Sequence, residues 1–267
     1  MENRELSSSK YDSETEGVYF DLQASWGITK HLGGLNATVE LADRCGVGEG
    51  KNVLIVGCGV GITACYLARK YGCRVVGIDL SELMVDRSAR RAEKERISDK
   101  VGFRVADAQG LPFKDGTFDA VFCESVLAFV PDKQKAINEF ARVTVPGGVV
   151  GFNEVTWLER PPPEIVSYLT RIMGSEFLME NEWQALLEVA GLNEIVARSY
   201  STNIWSQWTS EVKQFEFTDF MKAWGKYWLQ LFTSSATRRF TVEALTFPKS
   251  IFSLFRYFGY GIYTGRK

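Results

Sequence analysis

Three glycines, Gly57, Gly59 and Gly61, follow the apolar run Val53-Leu54-Ile55-Val56. Glycine lets the chain turn tightly and lets the backbone approach a bound group closely. A strand that runs through such a loop into a helix offers its N–H groups to a ligand, and nucleotides use loops of this kind. The dinucleotide fingerprint is G-x-G-x-x-G. Here the third glycine falls one position early and Ile62 takes the fingerprint place, which counts against a dehydrogenase. Asp79 lies about 20 residues past the loop, where a carboxylate can accept both hydroxyls of a ribose and would repel a 2′-phosphate. Asp107 can accept from an exocyclic adenine amine, and the Ala108 backbone can read the ring edge. Plainer roles stay open: Asp79 or Ser81 as a helix cap, Asp107 as a turn residue. Glu124 and Ser125 follow another apolar run, Phe118–Cys123. His31 is the one histidine of the chain and its only imidazole base, although a lone histidine is often structural.

These residues need a scaffold that gathers them, and the pattern of the chain supplies one. Strands are expected at Val53–Val56, Arg74–Asp79, Val101–Val105, Phe118–Cys123 and Val149–Glu154. Helices are expected between them. Ala64, Leu67, Ala68 and Tyr71 fall on one helical face that Gly72 stops. A second helix runs from about Glu82 to Glu95, and Pro131 and Asp132 open a third whose face holds Ile137, Phe140 and Ala141. Leu35, Val39, Ala42 and Gly46 outline an N-terminal helical stripe. Helices at 163–173 and 180–190, a strand at Glu194–Tyr200 and a last strand at Gly259–Arg266 follow. Alternating strands and helices predict a doubly wound α/β fold with a mostly parallel sheet. Ligands of such folds bind outside the carboxyl ends of the strands, where the strand order reverses. The residues singled out above all follow strands, apart from His31.

Composition narrows the field. A formal charge of −2 over 267 residues gives no broad field for nucleic acid. The basic run Arg87 to Arg96, interleaved with Glu93 and Glu95, looks like a solvated helix face. The five cysteines form no C-x-x-C pair, so neither a metal site nor a disulfide framework is expected, and free thiols suit a cytoplasmic protein. The polar first residues lack the apolar stretch of a signal peptide. No apolar run approaches the roughly 18 residues of a membrane span.

The stretches "NVLIVGCGVGIT", "VVGIDLS", "VADAQGLPFKDGTFDAVFCESVLAFVPD" and "RVTVPGG" together resemble the successive motifs of class I S-adenosylmethionine-dependent methyltransferases. They are most similar to the small-molecule branch with the ubiquinone/menaquinone, sterol and tocopherol enzymes. The likeness covers roughly residues 50–155. It implies a seven-stranded Rossmann-like sheet with the last strand antiparallel, and S-adenosylmethionine as cofactor. By that likeness Gly57, Cys58, Gly59 and Gly61 pass the methionine part, Asp79 and Leu80 the ribose, Asp107 and Ala108 the adenine, and Glu124 lies near the sulfonium. One letter departs: such enzymes usually carry an acid two positions before the first glycine, where this chain has Ile55. Glu124 or a polar group of the N-terminal segment is the candidate replacement.

Methyl transfer asks mainly for positioning and exclusion of water, and a general base only when the acceptor loses a proton early. His31 and Glu124 are the candidate catalytic residues. Tyr19, Phe20 and Trp26 are candidates to close over the cofactor, where an aromatic face favours a sulfonium. Four parts are expected: residues 1–46 as tail and helical cap, 47–202 as the cofactor-binding core, 203–255 as a helical lid, and 256–267 as the last strand. The lid, placed by topology over the site, carries Trp205, Trp208, Phe215, Phe217, Phe220, Trp224, Tyr227, Trp228 and Phe232. Its aromatics suit a small apolar or aromatic acceptor, methylated on carbon or oxygen. They equally suit the lid's own core, a homodimer contact or, caging a cation, an amine or thiol acceptor. The terminal helical stretch "PKSIFSLFRYFGY" is amphipathic enough for weak contact with a membrane surface.

Overall fold

A computed structural model of the chain describes residues 31–202 and 217–267. Tyr19, Phe20, Trp26, Trp205, Trp208 and Phe215, with the expected tail, lie outside them. The central strand β1 (Asn52–Val56) is β-branched and apolar, and its last four residues are buried. That is the composition of a strand covered on both faces. It pairs in parallel with β2 (Arg74–Asp79) on one side and β4 (Phe118–Glu124) on the other. β3 (Val101–Val105) extends the sheet beyond β2, and β5 (Thr144–Trp157) extends it beyond β4, both in parallel.

The order along the sheet is β3-β2-β1-β4-β5-β8-β7. β8 (Phe258–Arg266) runs antiparallel to β5 and to β7 (Asn193–Ser201), so β7 is parallel to the rest, as expected. An eighth, two-residue strand, β6 (Leu178–Met179), pairs with Thr156 and Trp157 at the end of β5. It is too short to leave a periodic trace. The strand expected at Val149–Glu154 is longer at both ends. Its turn, Pro146-Gly147-Gly148, is taken up as an irregularity within the strand, where the register against β4 shifts between Phe118 and Ala120.

Alternate residues of the strands feed two cores. Leu54, Val121 and Phe152 pack with Ile137 and Phe140 of α4 (Lys133–Val143) and with Trp183 and Leu187 of α6 (Glu180–Val189). Val53, Ile55 and Phe122 pack with Ala37 and Leu41 of α1 (Gly34–Arg44) and with Ala64 and Leu67 of α2 (Ile62–Tyr71). Fully burying one such large side chain is worth about 1.5–3 kcal/mol. The N-terminal stripe is shifted from the expected one. Ala37, Thr38, Leu41 and Ala42 are buried, Leu35 is 54% exposed, and the helix ends before Gly46. The buried face sets one large side chain, Leu41, among the smaller Ala37, Thr38 and Ala42, and hydropathy alone gives Leu35 too much weight.

The described residues form two compact units. One comprises 31–160, 177–202 and 255–267, the whole sheet with its helices. The other comprises 161–176 and 217–254. The second is built on α5 (Pro163–Met173), α7 (Phe217–Thr233) and α8 (Ser235–Leu245). Within it the Tyr168 hydroxyl donates to the Ala244 carbonyl at 2.7 Å, and the Tyr227 and Thr241 hydroxyls lie 2.8 Å apart. Trp224 and Tyr227 stack, yet Trp224, Trp228 and Phe232 stay exposed. The terminal stretch expected as one helix is instead a 3-10 turn at Lys249–Ser253 and a four-residue α9 (Leu254–Tyr257) before β8. Among the described residues no helix is long and apolar enough to cross a membrane.

Candidate functional site

β2 and β4 flank β1 on opposite sides, so the strand order reverses there, and the crevice opens at the carboxyl ends. Gly57 stands at its edge with a φ of +70°. A Cβ on it would come within 2.2 Å of Val126 Cγ2. Gly61 caps α2 in the left-handed region, with Ser88 3.0 Å from where its Cβ would lie. The loop between them is held from behind by α3 (Glu82–Lys94). The Ser88 hydroxyl donates to the Gly59 carbonyl at 2.8 Å, and Arg91 Nε donates to the Val60 carbonyl at 2.8 Å. Arg91 belongs to the run expected to be a solvated face, and that expectation is corrected for this residue. Ser88 is fully buried. Its trace in the sequence is a small polar residue on the apolar stripe with Met84 and Ala92.

Asp79 joins the two loops. One carboxylate oxygen accepts from Gly59 N–H and the other from Ser81 N–H, each at 2.9 Å. Burial pushes its carboxyl above the ordinary carboxylate range, against the pull of those N–H groups. The Leu80 backbone also bonds this carboxylate, which leaves part of its acceptor capacity for a further donor such as a ribose hydroxyl. Ser81, not Asp79, caps α3, accepting from Met84 N–H. Leu80 beside it is 39% exposed, an apolar surface at the strand end. The Ala106 N–H donates to the Asp79 carbonyl and brings the next loop alongside. There Asp107 accepts from Gln109 N–H at 2.8 Å, a turn role that leaves its exposed carboxylate open to other donors, and Ala108 is buried beneath. Cys58 contributes no side chain to the crevice. Its thiol is buried against Ser88, and burial pushes it up to about 12.

Glu124 is the other focus. One carboxylate oxygen accepts from the Thr38 hydroxyl of α1 and the second from the Thr63 hydroxyl of α2, each at 2.8 Å. His31 Nε2 lies 3.0 Å from the same Thr38 oxygen and 3.8 Å from Glu124. The two candidate catalytic residues are therefore brought together, with a threonine between them. Ile55 sits 2% exposed in the apolar core beside Phe122.

The turn after Glu124 is strained and braced. Ser125 has a φ of +56°, unusual for a residue with a side chain. Fully buried Glu154, at the end of β5, accepts from Val126 and Leu127 N–H at 2.6 Å and from Ala128 N–H at 3.4 Å. Burial pushes its carboxyl up to about 7 against those three bonds. Asn153 donates to the Leu32 carbonyl at 2.7 Å, which fixes the stretch beside His31. Ser125 Oγ and Asn153 Oδ1 are buried without a hydrogen-bond partner among the described residues. Thr38, Thr63, Ser88 and Asn153 were not foreseen from the sequence, and Glu154 was foreseen only as the tip of its strand. Among the described residues, no group of three or more His, Cys, Asp or Glu side chains is arranged to hold a metal ion.

The family described as "Methyltransferase domain" matches residues 54–152, the span that holds the glycine loop, Asp79, Asp107 and Glu124. The 27-O-demethylrifamycin SV methyltransferase of Amycolatopsis mediterranei is 32% identical over 73% of this chain and 78% of its own length. The chain belongs to the methyltransferase family. The probable tocopherol O-methyltransferase of rice is 34% identical over 61% of this methyltransferase-family chain and 48% of its own. The chain thus spans about half the length of the first curated relatives it matches. Among solved structures, the cyclase SpnF superposes with a TM-score of 0.73 at 23% identity, over 96% of both chains. A geranyl diphosphate C-methyltransferase from Streptomyces coelicolor, solved with S-adenosyl-L-homocysteine, superposes with a TM-score of 0.65 at 18% identity, over 86% of this chain and 76% of its own. These two establish the methyltransferase fold.

Proposed function

We propose that this chain transfers a methyl group from S-adenosylmethionine to carbon or oxygen of a small, apolar or aromatic acceptor. The observation that carries it is the glycine loop tied through Gly59 N–H to Asp79, at the reversal point of the sheet. The residues fit the cofactor. Gly57 and Gly61 turn the loop through left-handed backbone that favours glycine and lets the chain lie close to a ligand, and Asp79 keeps acceptor capacity for a ribose hydroxyl. Gly57, Cys58 (by backbone), Gly59 and Gly61 would pass the methionine part, Asp79 and Leu80 the ribose, and Asp107 and Ala108 the adenine. Glu124 would lie by the sulfonium. The cofactor, when bound, supplies a methyl carbon already activated by a positive sulfur.

The chain's own work is then to hold, orient and exclude water. His31 takes the proton from an oxygen acceptor. The segment 203–255, with Trp224, Tyr227, Trp228 and Phe232, is the part assigned to selecting the acceptor. It completes the division into a cap at 1–46, a core at 47–202 and a last strand at 256–267. A cytoplasmic setting follows from the free cysteines. Nucleic acid is not among the proposed partners. A homodimer and weak contact with a membrane surface are, both through exposed apolar side chains.

Calorimetry tests this directly. S-adenosylhomocysteine should bind and NAD should not, and Asp79→Ala should weaken S-adenosylhomocysteine roughly tenfold or more, about 1.4 kcal/mol or greater. Labelled cofactor offered with phenolic, isoprenoid, amine and thiol acceptors then identifies the acceptor atom. NAD binding without S-adenosylhomocysteine binding would overturn the proposal. Ile55 favours one second reading, a protein that binds the cofactor without transfer. Tight binding with no turnover on the whole panel would select it.

A further inference from the structure

The bonds around Thr38 determine more than a packing contact. A hydroxyl carries one proton. The Thr38 oxygen lies 2.8 Å from a Glu124 carboxylate oxygen, and two oxygens at that distance need a proton between them. An ionised carboxylate can only accept, so the Thr38 proton points to Glu124. The same Thr38 oxygen lies 3.0 Å from His31 Nε2 and can then only accept, so Nε2 must carry a hydrogen. The second Glu124 oxygen is taken by the Thr63 hydroxyl at 2.8 Å, which fixes the carboxylate between α1 and α2. The Leu32 carbonyl is held by Asn153 Nδ2 at 2.7 Å, which anchors the backbone next to the imidazole. Nδ1 has no protein partner among the described residues, and the His31 side chain keeps 17% exposure.

We infer that Thr38 is a positioning residue. Through Glu124 it locks His31 in the Nε2–H tautomer and leaves Nδ1 as the one lone pair that can take a proton from an acceptor. The catalytic half of this rests on the proposed methyl transfer; the tautomer does not. In transfer to oxygen the acceptor O–H bond breaks and its proton goes to Nδ1. The new oxygen–carbon bond forms as the carbon–sulfur bond breaks, with that electron pair staying on sulfur. The imidazolium so formed donates through Nε2 to Thr38 and faces the Glu124 charge, which stabilises it. Thr38 itself gains and loses no proton.

A single histidine makes the test direct. In ¹⁵N-labelled protein carrying no histidine tag, long-range ¹H–¹⁵N correlation above the titration of His31 reports one imidazole. The expected spectrum shows a protonated Nε2 and a bare Nδ1. Thr38→Val should shift the population toward Nδ1–H, and Thr38→Ser should restore the wild-type spectrum. A wild-type spectrum dominated by Nδ1–H overturns the inference even if Thr38→Val does not fold. An unchanged tautomer in a folded Thr38→Val protein overturns it as well. With an oxygen acceptor in hand, Thr38→Val should lower kcat roughly tenfold or more while the acceptor KM stays within a few-fold, and Thr38→Ser should recover most of the loss. Equal turnover in Thr38→Val and wild type would remove the catalytic half. Absence of wild-type turnover beside the expected spectrum would instead count against methyl transfer and leave the tautomer standing.

Discussion

Glu154 accepts three backbone N–H bonds while lying wholly out of water, and the two facts pull its carboxyl in opposite directions. Burial prevails and brings it up to about 7. The sign of the consequence follows. An unfolded glutamate titrates near 4.3, so between there and about 7 the folded chain holds more proton than the unfolded one. Stability contributed by this group is present in acid and is lost as pH rises through that window. Glu154→Gln removes the titration. Urea unfolding at pH 5 and pH 8 should show the wild type losing, relative to the variant, on the order of 2 kcal/mol between the two. A constant difference would mean that the three N–H groups outweigh burial. The same residue reaches function through geometry: it fixes the turn that follows Glu124, so Glu154→Gln should also loosen the Glu124 contacts to Thr38 and Thr63.

Elements meet at the site through pairs far apart in the chain. Gly57 closes β1, and the space its missing Cβ leaves is filled by Val126 from the turn after β4. Gly57→Ala faces both a left-handed φ and that clash, at a combined cost of about 2–5 kcal/mol. Adding Val126→Ala should return part of it, and a double-mutant cycle by thermal unfolding measures how much. Strict additivity would show that the two loops do not press on each other. The same distances decide what the sequence discloses. Arg74–Asp79, Val101–Val105 and the helix at 163–173 announce themselves by local periodicity, and the structure keeps those bounds. Gly57, Gly61 and Asp79 are legible because the left-handed turns of the loop and the bond from Gly59 N–H to Asp79 demand particular residues at particular spacings. Thr38 and Thr63 are not, because each has Glu124 as its partner, 86 and 61 residues away, and a threonine in a helix carries no mark of that. Leu35 misleads for the opposite reason: it looks like core, but α1 turns Ala37, Thr38, Leu41 and Ala42 inward and leaves Leu35 exposed.

At the scale of the whole molecule, the two units differ in what they do with their aromatics. In the sheet unit Phe152, Trp183 and Tyr263 are fully buried, with ring centres 5.1–6.2 Å apart. In the helical unit Trp228, Leu229, Phe232 and Leu245 are 48%, 64%, 77% and 71% exposed. Trp224, Trp228 and Phe232 follow one another at four-residue steps along one face of α7. Large apolar side chains gathered on a surface mark a place where something binds, and acceptor selection is the role proposed for them. Phe232 separates that role from stability. It buries little of its own area, so Phe232→Glu should change unfolding free energy by no more than about 0.5 kcal/mol and should leave S-adenosylhomocysteine affinity alone. Acceptor KM, or the order of preference among acceptors, should move. A marked loss of stability would show that Phe232 is covered in solution. Sedimentation of wild type and variant then identifies the cover: a dimer that dissociates on substitution would assign the face to a second copy of the chain, and an unchanged monomer would assign it to another segment of the same chain.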